Sequence, residues 1–370
     1  MALEVVRYFG RAILRPVIIQ DSLRRSDIQR IISHMKAIVT TRPLAVEEVD
    51  SLIEIERPKP RASGRDLLVR VQAVAINPVD TKVRASVANT DGVILGWDAA
   101  GIVEEVGPEV KGFYRGDEVY YAGDITRPGS NAEYQLVDER IVARKPKTLC
   151  FADAAAYPLV TITAWEALYE RLGIDRHGSD AGKSLLIIGG AGGVGSMAIQ
   201  LARLAGLTVI ATASRPASRE WVLSLGANHV VNHGESLAGQ LAKIGFPEVD
   251  FIANFNNTDS YWGVMAEVIK PLGKIVGIVE TSSPVDLGLL KTKSATFSWE
   301  FMFTRSKLQT PDMDVQGKLL AETAGLIDVG RIKPIIGERL ERISAITLRK
   351  AHQRAESGTL VGKLVIGGWQ

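Results

Sequence analysis

The sequence predicts a two-domain α/β chain in which an antiparallel, barrel-like β domain precedes a doubly wound parallel sheet. Short apolar strands separated by glycine and proline turns fill the chain up to about residue 155, with no long helical period between them. From residue 184 onward, short apolar strands alternate with helical stretches, as successive βαβ units do. The length of 370 residues is enough for two domains, each with its own core.

The first domain is expected to contain strands over 36–40, 66–75, 101–106 and 117–121, followed by a helix over 161–172. In the second, strands are expected over 184–188, 208–212, 229–231, 251–253 and 274–278, with helices over 196–204, 220–225 and 236–244. Toward the C-terminus the sequence predicts two further helices, over 318–329 and 346–356, and a last strand at 363–366. The simplest arrangement returns that strand to the first domain.

Composition limits the function classes. The chain is 46% hydrophobic and 23% charged with a net charge of +2, which gives no electrostatic footprint for nucleic acid. No run approaches the 18 to 20 or so apolar residues of a membrane span. The only cysteine, Cys150, excludes an intramolecular disulfide and suggests a reducing compartment, so we expect a cytoplasmic protein.

Residues 1–34 differ from the rest of the chain. They carry six arginines against three acidic residues, and they have no apolar segment followed by a small-residue cleavage site. The acidic residues also argue against a transit peptide, which is normally acid-poor. We expect a dispensable N-terminal extension, with the folded chain beginning at Met35.

A glycine-rich loop at 189–195 follows a predicted buried strand and opens a predicted helix. It contains a strict G-x-G-x-x-G at Gly190, Gly192 and Gly195, with Gly193 and Val194 between them. The pattern predicts that Gly190 makes the tight turn, that Gly192 lets the backbone approach a pyrophosphate, and that Gly195 lets helix and strand pack closely. The first N–H groups of the helix would bind the anion. The loop therefore predicts a dinucleotide coenzyme.

The end of the second strand of this unit indicates which coenzyme. NAD-binding chains usually place an acidic residue there for the ribose 2′-hydroxyl. In this chain the residues from the end of that strand, at 212, up to Glu220 include no acidic residue. Ser214 and Arg215 can instead donate hydrogen bonds to a 2′-phosphate, with Arg219 as a further candidate. NADP(H) is therefore the expected cofactor. The alternative is that Arg215 is only a solvated turn residue.

Metal ligands are scarce. A structural zinc site usually takes four Cys, or Cys mixed with His, at short spacings, and this chain has one Cys and five His. Only His229 and His233 are close in sequence, and they are expected at the end of a strand rather than on a helix. We predict no metal site.

Several stretches together resemble the medium-chain dehydrogenase/reductase superfamily. They are 75–80 (AINPVD), 96–107 (GWDAAGIVEEVG), 157–165 (YPLVTITAW), the glycine loop and 299–305 (WEFMFTR). Within it the chain is similar to the quinone oxidoreductase (zeta-crystallin-like) branch, nearest to proteins labelled zinc-type alcohol dehydrogenase-like. The resemblance implies a GroES-like catalytic domain at 35–160, completed by 305–370, and a Rossmann coenzyme domain at 161–304.

The chain departs from the zinc-bearing members of that superfamily. They place a Cys ligand where this chain has Asn77 and a His-Glu pair where it has Trp97 and Asp98. Their second catalytic Cys and their four-Cys lobe are also missing, so the usual catalytic zinc cannot be assembled. Quinone oxidoreductases often carry a Tyr two residues after the aspartate of their N-P-x-D motif, and here that position is Lys82.

The resemblance also implies roles around the coenzyme. It places Thr163 near the nicotinamide, Gly277 and Ile278 beside its amide, and His233 near the adenosine ribose. Trp97, Tyr121 and Phe303 either line an apolar pocket or belong to the core.

At the reacting end, the resemblance places Asn77 and Asp80 at the border of the substrate cleft. Asn77 would donate to a substrate oxygen. Asp80 would orient the substrate or a nearby water, or alternatively cap a turn. The proton would come from water or from Lys82.

The expected function is NADPH-dependent reduction of a quinone or an α,β-unsaturated carbonyl compound. Reducing an isolated carbonyl leaves an alkoxide that needs a Lewis acid or a strong proton donor, whereas a conjugated substrate delocalises the charge onto an enolate oxygen. The alternatives are a zinc-containing NAD(P)-dependent alcohol dehydrogenase and a non-catalytic NADPH-binding protein. The resemblance further implies a homodimer or homotetramer, with an edge strand at 275–279 as the contact and a small molecule as the substrate.

Overall fold

The computed structural model describes residues 33–369, so the predicted extension at 1–34 lies almost wholly outside the described residues. The strands are β1 (His34–Thr40), β2 (Ile53–Pro58), β3 (Asp66–Ala75), β4 (Val93–Ile94), β5 (Asp98–Val106), β6 (Glu118–Tyr121), β7 (Tyr134–Asp138), β8 (Val142–Arg144), β9 (Ser184–Ile188), β10 (Thr208–Thr212), β11 (His229–Val231), β12 (Val249–Asn254), β13 (Ile269–Gly277), β14 (Thr296–Trp299), β15 (Ile336–Glu341) and β16 (Lys363–Gly367). The α-helices are α1 (Pro78–Arg84), α2 (Phe151–Ala154), α3 (Pro158–Trp165), α4 (Gly193–Leu204), α5 (Pro216–Ser224), α6 (Leu237–Lys243), α7 (Thr258–Val268), α8 (Gly288–Lys291), α9 (Thr304–Leu308), α10 (Val315–Asp328) and α11 (Ala345–Glu356).

The first sheet system is built around the long strand β3. One edge of β3 pairs along its whole length with β5, and β5 continues through β6 to β8. The other edge is shared: its first half pairs with β7 and its last residues pair with β16. The chain therefore returns to this sheet with its last strand, and β15 extends the sheet from there. A smaller sheet, β2-β1-β4, lies beside it.

The second sheet is parallel, with the strand order β11-β10-β9-β12-β13-β14. This order reverses direction between β9 and β12, which is the arrangement of a dinucleotide-binding doubly wound sheet. All five residues of β9 are buried, as expected for a central strand covered by helices on both faces. No helix within residues 33–369 has the length and apolarity needed to cross a membrane.

The α/β prediction with one antiparallel and one parallel sheet is confirmed, and most strands lie where they are expected. The strands at 66–75, 184–188, 208–212 and 229–231 agree with the structure at both ends. The predicted strand at 363–366 is found as β16. The boundaries at 34, 160 and 304 stay predictions, although the barrel strands do fall at 34–144 and 336–367 and the parallel strands at 184–299.

Two expectations need correction. The helix expected over 161–172 begins earlier, at Pro158, because a proline can occupy the first helical turn without losing a hydrogen bond. Over Glu166–Arg171 it changes to a π-helical turn. The strand near 275–279 is not an edge strand. It belongs to β13, which pairs on both sides, and the edge is the unpredicted strand β14.

The three candidate pocket aromatics belong mainly to the core. Trp97, Tyr121 and Phe303 are each at most 2% exposed, and Trp97 packs edge-to-face on Phe303 with ring centres 5.9 Å apart. Among them only Phe303 also lines the large cleft described next.

Candidate active site

A cleft of about 550 Å³ separates the glycine loop from the start of α1. Four segments form most of its wall. They are α1 with its N-cap, which contribute Lys82 and Asn77, helix α3 with Thr163, the glycine loop, and the residues after β13 with Ile278. The remaining wall is apolar and comes from the segment after β14, with Phe301 and Phe303. The structure thus brings the predicted coenzyme loop to one cavity with Asn77 and Lys82, two of the three predicted catalytic residues.

The glycine loop has the close packing that a bound pyrophosphate requires. Gly189, at φ +84°, supplies the left-handed turn one position before the residue predicted to do so. Gly190 instead permits contact with the next strand, because a Cβ there would lie 2.9 Å from the Cβ of Ala211. A Cβ on Gly195 would come 2.6 Å from the carbonyl oxygen of Gly190, so helix and loop pack as predicted.

Of the two middle glycines, Gly192 leaves open space above the helix, whereas Gly193 is packed against the Lys363 side chain. Gly192 is the N-cap of α4, and a Cβ there would meet only the carbonyl oxygen of Gly189, at 3.6 Å. Gly193 and Val194 begin the helix and line the cleft. The free N–H groups at the start of α4 therefore face a cradle that fits a phosphate group.

The residues predicted for the 2′-phosphate, Ser214 and Arg215, lie beyond the loop, next to His233, which is predicted near the adenosine ribose. Ser214 and Arg215 follow β10, and His233 follows β11, which pairs with β10. The Ser214 hydroxyl lies 3.3 Å from Nε2 of His233. Arg215 is exposed and donates from Nη2 to the carbonyl oxygen of Thr359 at 2.9 Å, which leaves its other N–H groups for a ligand.

Of the three residues predicted for the nicotinamide, Thr163 and Ile278 line the cleft and Gly277 does not. Thr163 is 5% exposed and donates its hydroxyl to the carbonyl oxygen of Leu159 at 2.8 Å. Ile278 lines the cleft, whereas Gly277 lies under it and would bring a Cβ within 3.1 Å of the Phe297 ring. A side chain at Gly277 would therefore crowd the aromatic rings of the neighbouring strand β14.

Asn77 and Asp80 form the N-terminal cap of α1. The carboxylate of Asp80 accepts the backbone N–H of Asn77 at 2.6 Å, and Asp80 is fully buried without lining the cleft. Burial raises the pKa of Asp80 to about 7, against the opposing effects of the Asn77 hydrogen bond and of Lys363. The structure thus favours the capping alternative for Asp80 over contact with substrate.

Asn77 itself is the floor of the cleft. It is 2% exposed and donates from Nδ2 to Asp98 Oδ2 at 2.8 Å, while its Oδ1 accepts from Lys363 at 2.6 Å. An amide carries two hydrogens on Nδ2, and no acceptor for the second is found within residues 33–369. Because Asn77 lines the cleft, that hydrogen is the candidate donor to a bound substrate.

Lys363 and Asp98 were not predicted as site residues. Lys363 Nζ lies 2.8 Å from Asp98 Oδ2, and both side chains are at most 3% exposed. The other oxygen of Asp98 accepts the N–H of Leu159 at 2.7 Å. A lysine at the start of an apolar strand is the signal that could have pointed to this pair.

Lys82 lies at the mouth of the cleft. Its side chain is 52% exposed, and Nζ lies 3.2 Å from Glu280 Oε1. Lys82 belongs to the lobe of the antiparallel sheets, and Glu280 belongs to the lobe of the parallel sheet. A hydrogen bond from the backbone N–H of Glu280 itself and a second from Lys82 lower the pKa of the Glu280 carboxyl. The pair bridges the two lobes at an exposed position, where such ion pairs contribute little stability.

A buried carboxyl pair supports the aromatic wall and was also missed. Glu300 follows β14 directly, and burial together with the adjacent Glu166 raises its pKa to about 9. Arg171 holds it by a 2.8 Å hydrogen bond from Nε, and Arg305 pairs with Glu166 at 2.6 Å. Glu300 borders the cleft together with Phe301 and Phe303, and its side chain is 0% exposed, so its contact with Arg171 holds this wall in place.

The residues at the floor of the cleft do not fit a zinc ion. Zinc in enzymes takes Cys, His and carboxylate ligands, and this floor offers one amide, one carboxylate and a lysine. The Lys363 ammonium itself lies within 2.9 Å of three oxygens, so a second cation there would be repelled. Residues 33–369 contain no group of three His, Cys, Asp or Glu side chains able to hold a metal.

Comparisons with known proteins agree with this architecture. The chain matches the alcohol dehydrogenase GroES-like domain family over residues 63–147 and the zinc-binding dehydrogenase family over residues 193–315. A zinc-type alcohol dehydrogenase-like protein of Staphylococcus aureus is 44% identical over 333 residues, covering 90% of this chain and 99% of that protein. The 2-methylene-furan-3-one reductase of Solanum lycopersicum is 33% identical, covering 81% of this chain and 71% of the reductase.

Solved structures show the same fold. A Rhizobium etli protein, assigned provisionally as a zinc-dependent alcohol dehydrogenase, is 49% identical with a TM-score of 0.88, covering 92% of this chain and 99% of that one. The quinone oxidoreductase of Coxiella burnetii is 26% identical with a TM-score of 0.75, covering 90% and 99%. An Escherichia coli quinone oxidoreductase in complex with NADPH, at 23% identity, covers the same two shares and supports the fold alone, with a TM-score of 0.75.

Proposed function

Because this chain belongs to the medium-chain dehydrogenase/reductase superfamily, whose members are oxidoreductases, we propose that it reduces quinones or α,β-unsaturated carbonyl compounds with NADPH and without a catalytic zinc. The observation that carries the proposal is the floor of the cleft. There an amide and an ammonium stand where a zinc enzyme needs metal ligands.

The coenzyme part of the proposal rests on the glycine loop and on the cluster after β10. The backbone at Gly192 and Gly193 would hold the pyrophosphate, while Ser214 and Arg215 would bind the 2′-phosphate and His233 would lie beside the adenosine ribose. When bound, the reduced nicotinamide supplies a hydride. Thr163 and Ile278 would orient its ring from the wall of the cleft.

The substrate part rests on Asn77. Adding a hydride to a conjugated carbon moves negative charge onto the carbonyl oxygen, and that charge needs a hydrogen-bond donor more than a Lewis acid. The free N–H of Asn77 supplies such a donor, while Phe301 and Phe303 offer an apolar wall for a flat ring. The names of the tomato and Coxiella proteins, an enone reductase and a quinone oxidoreductase, support the same substrate classes.

The proton that completes the reduction would come from Lys82 or from a water at the mouth of the cleft. Lys82 is half-exposed, so the neutral amine left after its ammonium has donated a proton can be reprotonated from solvent. In an enone the proton would go to the carbon next to the carbonyl, and in a quinone to an oxygen. Either route leaves the buried Asn77 free to hold the developing oxyanion.

We also keep the proposals of a cytoplasmic location and of a homodimer or homotetramer. The exposed, unpaired Cys150 suits a reducing compartment. For the oligomer, the proposed contact is β14, the edge strand of the parallel sheet in the described part of the chain. Trp299 on that strand is 48% exposed, and a large exposed aromatic beside an open sheet edge favours association.

The test is NADPH oxidation against quinones, enones and simple ketones, with and without a chelator, alongside metal analysis. We expect turnover of quinones or enones that chelation does not change, with no stoichiometric zinc. Ketone reduction abolished by the chelator would favour the zinc alcohol dehydrogenase suggested by the names of the relatives. Tight NADPH binding with no turnover of any substrate would favour a non-catalytic binding protein.

A further inference from the structure

Lys363 joins the two lobes of the molecule at the floor of the cleft. The residue before it, Gly362, donates its N–H to the carbonyl oxygen of Ala191 in the glycine loop at 2.8 Å. The lysine stem then lies against Gly193, where an added Cβ would approach Lys363 Cδ to 2.7 Å. The ammonium therefore reaches the catalytic residues from the side of the coenzyme.

The ammonium has no freedom to act on a ligand directly. Its three hydrogens go to the carbonyl oxygen of Ile76 at 2.9 Å, to Asn77 Oδ1 at 2.6 Å and to Asp98 Oδ2 at 2.8 Å. A lysine carries three donors, so all are used. Any influence of Lys363 on a bound substrate must pass through one of these partners.

Asn77 is the partner that can transmit the charge. A cation that donates to the oxygen of an amide draws electron density from its nitrogen, because the two atoms share one resonance system, and so makes the N–H groups stronger donors. The effect is largest in a buried site, where water does not screen the charge. Asn77 and Lys363 are both at most 3% exposed.

Resting on the proposed function, we propose that Lys363 is a positioning residue that replaces a catalytic metal: its fixed ammonium polarises the Asn77 amide, which holds the oxyanion formed on the substrate. The competing view is that Lys363 only neutralises Asp98. A buried carboxylate without a partner is costly, so that view also predicts a damaged Lys363→Met variant. The two views predict different activities for a variant in which both charges are removed together.

The decisive variants are therefore Lys363→Met and the double change Asp98→Asn with Lys363→Met. Removing a buried pair as a whole costs far less than removing one partner, so the double variant should recover most of the thermal stability lost in Lys363→Met. Its kcat should still fall about tenfold to a hundredfold, with the Kd for NADPH within about twofold of the unmodified protein. Recovery of kcat along with stability would overturn the proposal.

A second measurement does not depend on turnover. The probe is 4-nitrophenol, whose anion places an oxyanion on a flat ring and absorbs at longer wavelength than the neutral phenol. With NADP⁺ bound, the unmodified protein should bind the anion preferentially and lower the apparent pKa of the probe. The double variant should lose this preference, while Lys318→Met, which removes a 73% exposed lysine, should retain it.

Binding of the neutral phenol, or equal preference in the double variant, would overturn the proposal for Lys363. The outcome is separate from that of the proposed function. If the protein prefers the anion but turns over no quinone or enone, the assigned substrates are wrong and the role of Lys363 stands. If it turns over enones but shows no preference for the anion, the assigned substrates stand and the role proposed for Lys363 is wrong.

Discussion

Replacing Arg215 by alanine should weaken the binding of NADPH and leave that of NADH nearly unchanged. In the structure the guanidinium is exposed, and within the described part of the chain only one of its N–H groups is engaged, with Thr359. The remaining donors can make charge-assisted hydrogen bonds to a 2′-phosphate beside Ser214 and His233.

The magnitude follows from the exposure of the site. Hydrogen bonds to a charged group contribute about 1.5 to 3 kcal/mol, and about 1.4 kcal/mol corresponds to a tenfold change in affinity. Because Arg215 is exposed and screened by salt, we take this range for the whole contact rather than for each hydrogen bond. The Kd for NADPH should rise about tenfold to a hundredfold, and by less at high salt.

The assay is fluorescence titration of both reduced coenzymes with the unmodified protein, Arg215→Ala and a control, Arg331→Ala, which removes another exposed arginine. The control should bind both coenzymes as the unmodified protein does. An equal loss for NADPH and NADH would mean that Arg215 only maintains the local fold through Thr359. An unchanged Kd for NADPH would show that Arg215 is a solvated turn residue, and the assignment of the coenzyme would fail.

Three further predictions concern the loop, the floor and the cap. Gly195→Ala should abolish NADPH binding and lower the thermal midpoint, because the new Cβ would lie 2.6 Å from the backbone oxygen of Gly190; a coenzyme titration that matches the unmodified protein would contradict this. Asn77→Ala should lower kcat about 100-fold or more, while the Kd for NADPH stays within about twofold. The measurement is the rate of hydride transfer in stopped-flow single turnovers, and an unchanged rate would show that Asn77 is only structural. Asp80 has a pKa of about 7 in the folded chain against 3.8 in the unfolded chain, so the folded state binds the extra proton and the free energy of unfolding should fall as pH rises from about 4 to 7. The Asp80→Asn variant should flatten that decline in denaturant titrations, and an identical slope would show that the carboxyl ionises freely in the folded protein.

The fold was largely predictable because its strongest signals are local. β9 and β10 are buried on both faces and read as continuous apolar runs, and the glycine loop after β9 requires glycine for steric reasons that hold in any context. β14 was missed because only four residues form it and its burial is partial, so little in its sequence distinguishes a strand from a loop.

The candidate site was predictable only where one segment holds the whole motif. Asn77 and Asp80 are three residues apart at the start of α1, and their spacing marks a helix cap as well as a site. Lys363, by contrast, lies 265 residues from Asp98 in sequence. Their pairing depends on β16 returning to β3, and no local pattern encodes which polar side chains then meet.

The same limit applies to the aromatic wall. The segment at 299–305 stands out in the sequence, but nothing in it shows that Glu300 would pair with Glu166. A glutamate before two phenylalanines reads as an exposed residue on an irregular segment. Its buried position follows from helix α3 and the π-helical turn, which place Glu166 and Arg171 beside it.

The most direct test of hydride transfer without a metal follows the hydride itself. Metal-stripped protein is mixed with an enone and with NADPH deuterated at the transferring position of the nicotinamide, and mass spectrometry locates the deuterium in the product. The account predicts deuterium on the carbon β to the carbonyl, at the same rate before and after stripping. Deuterium on the carbonyl carbon, or transfer that returns only when zinc is added back, would contradict it.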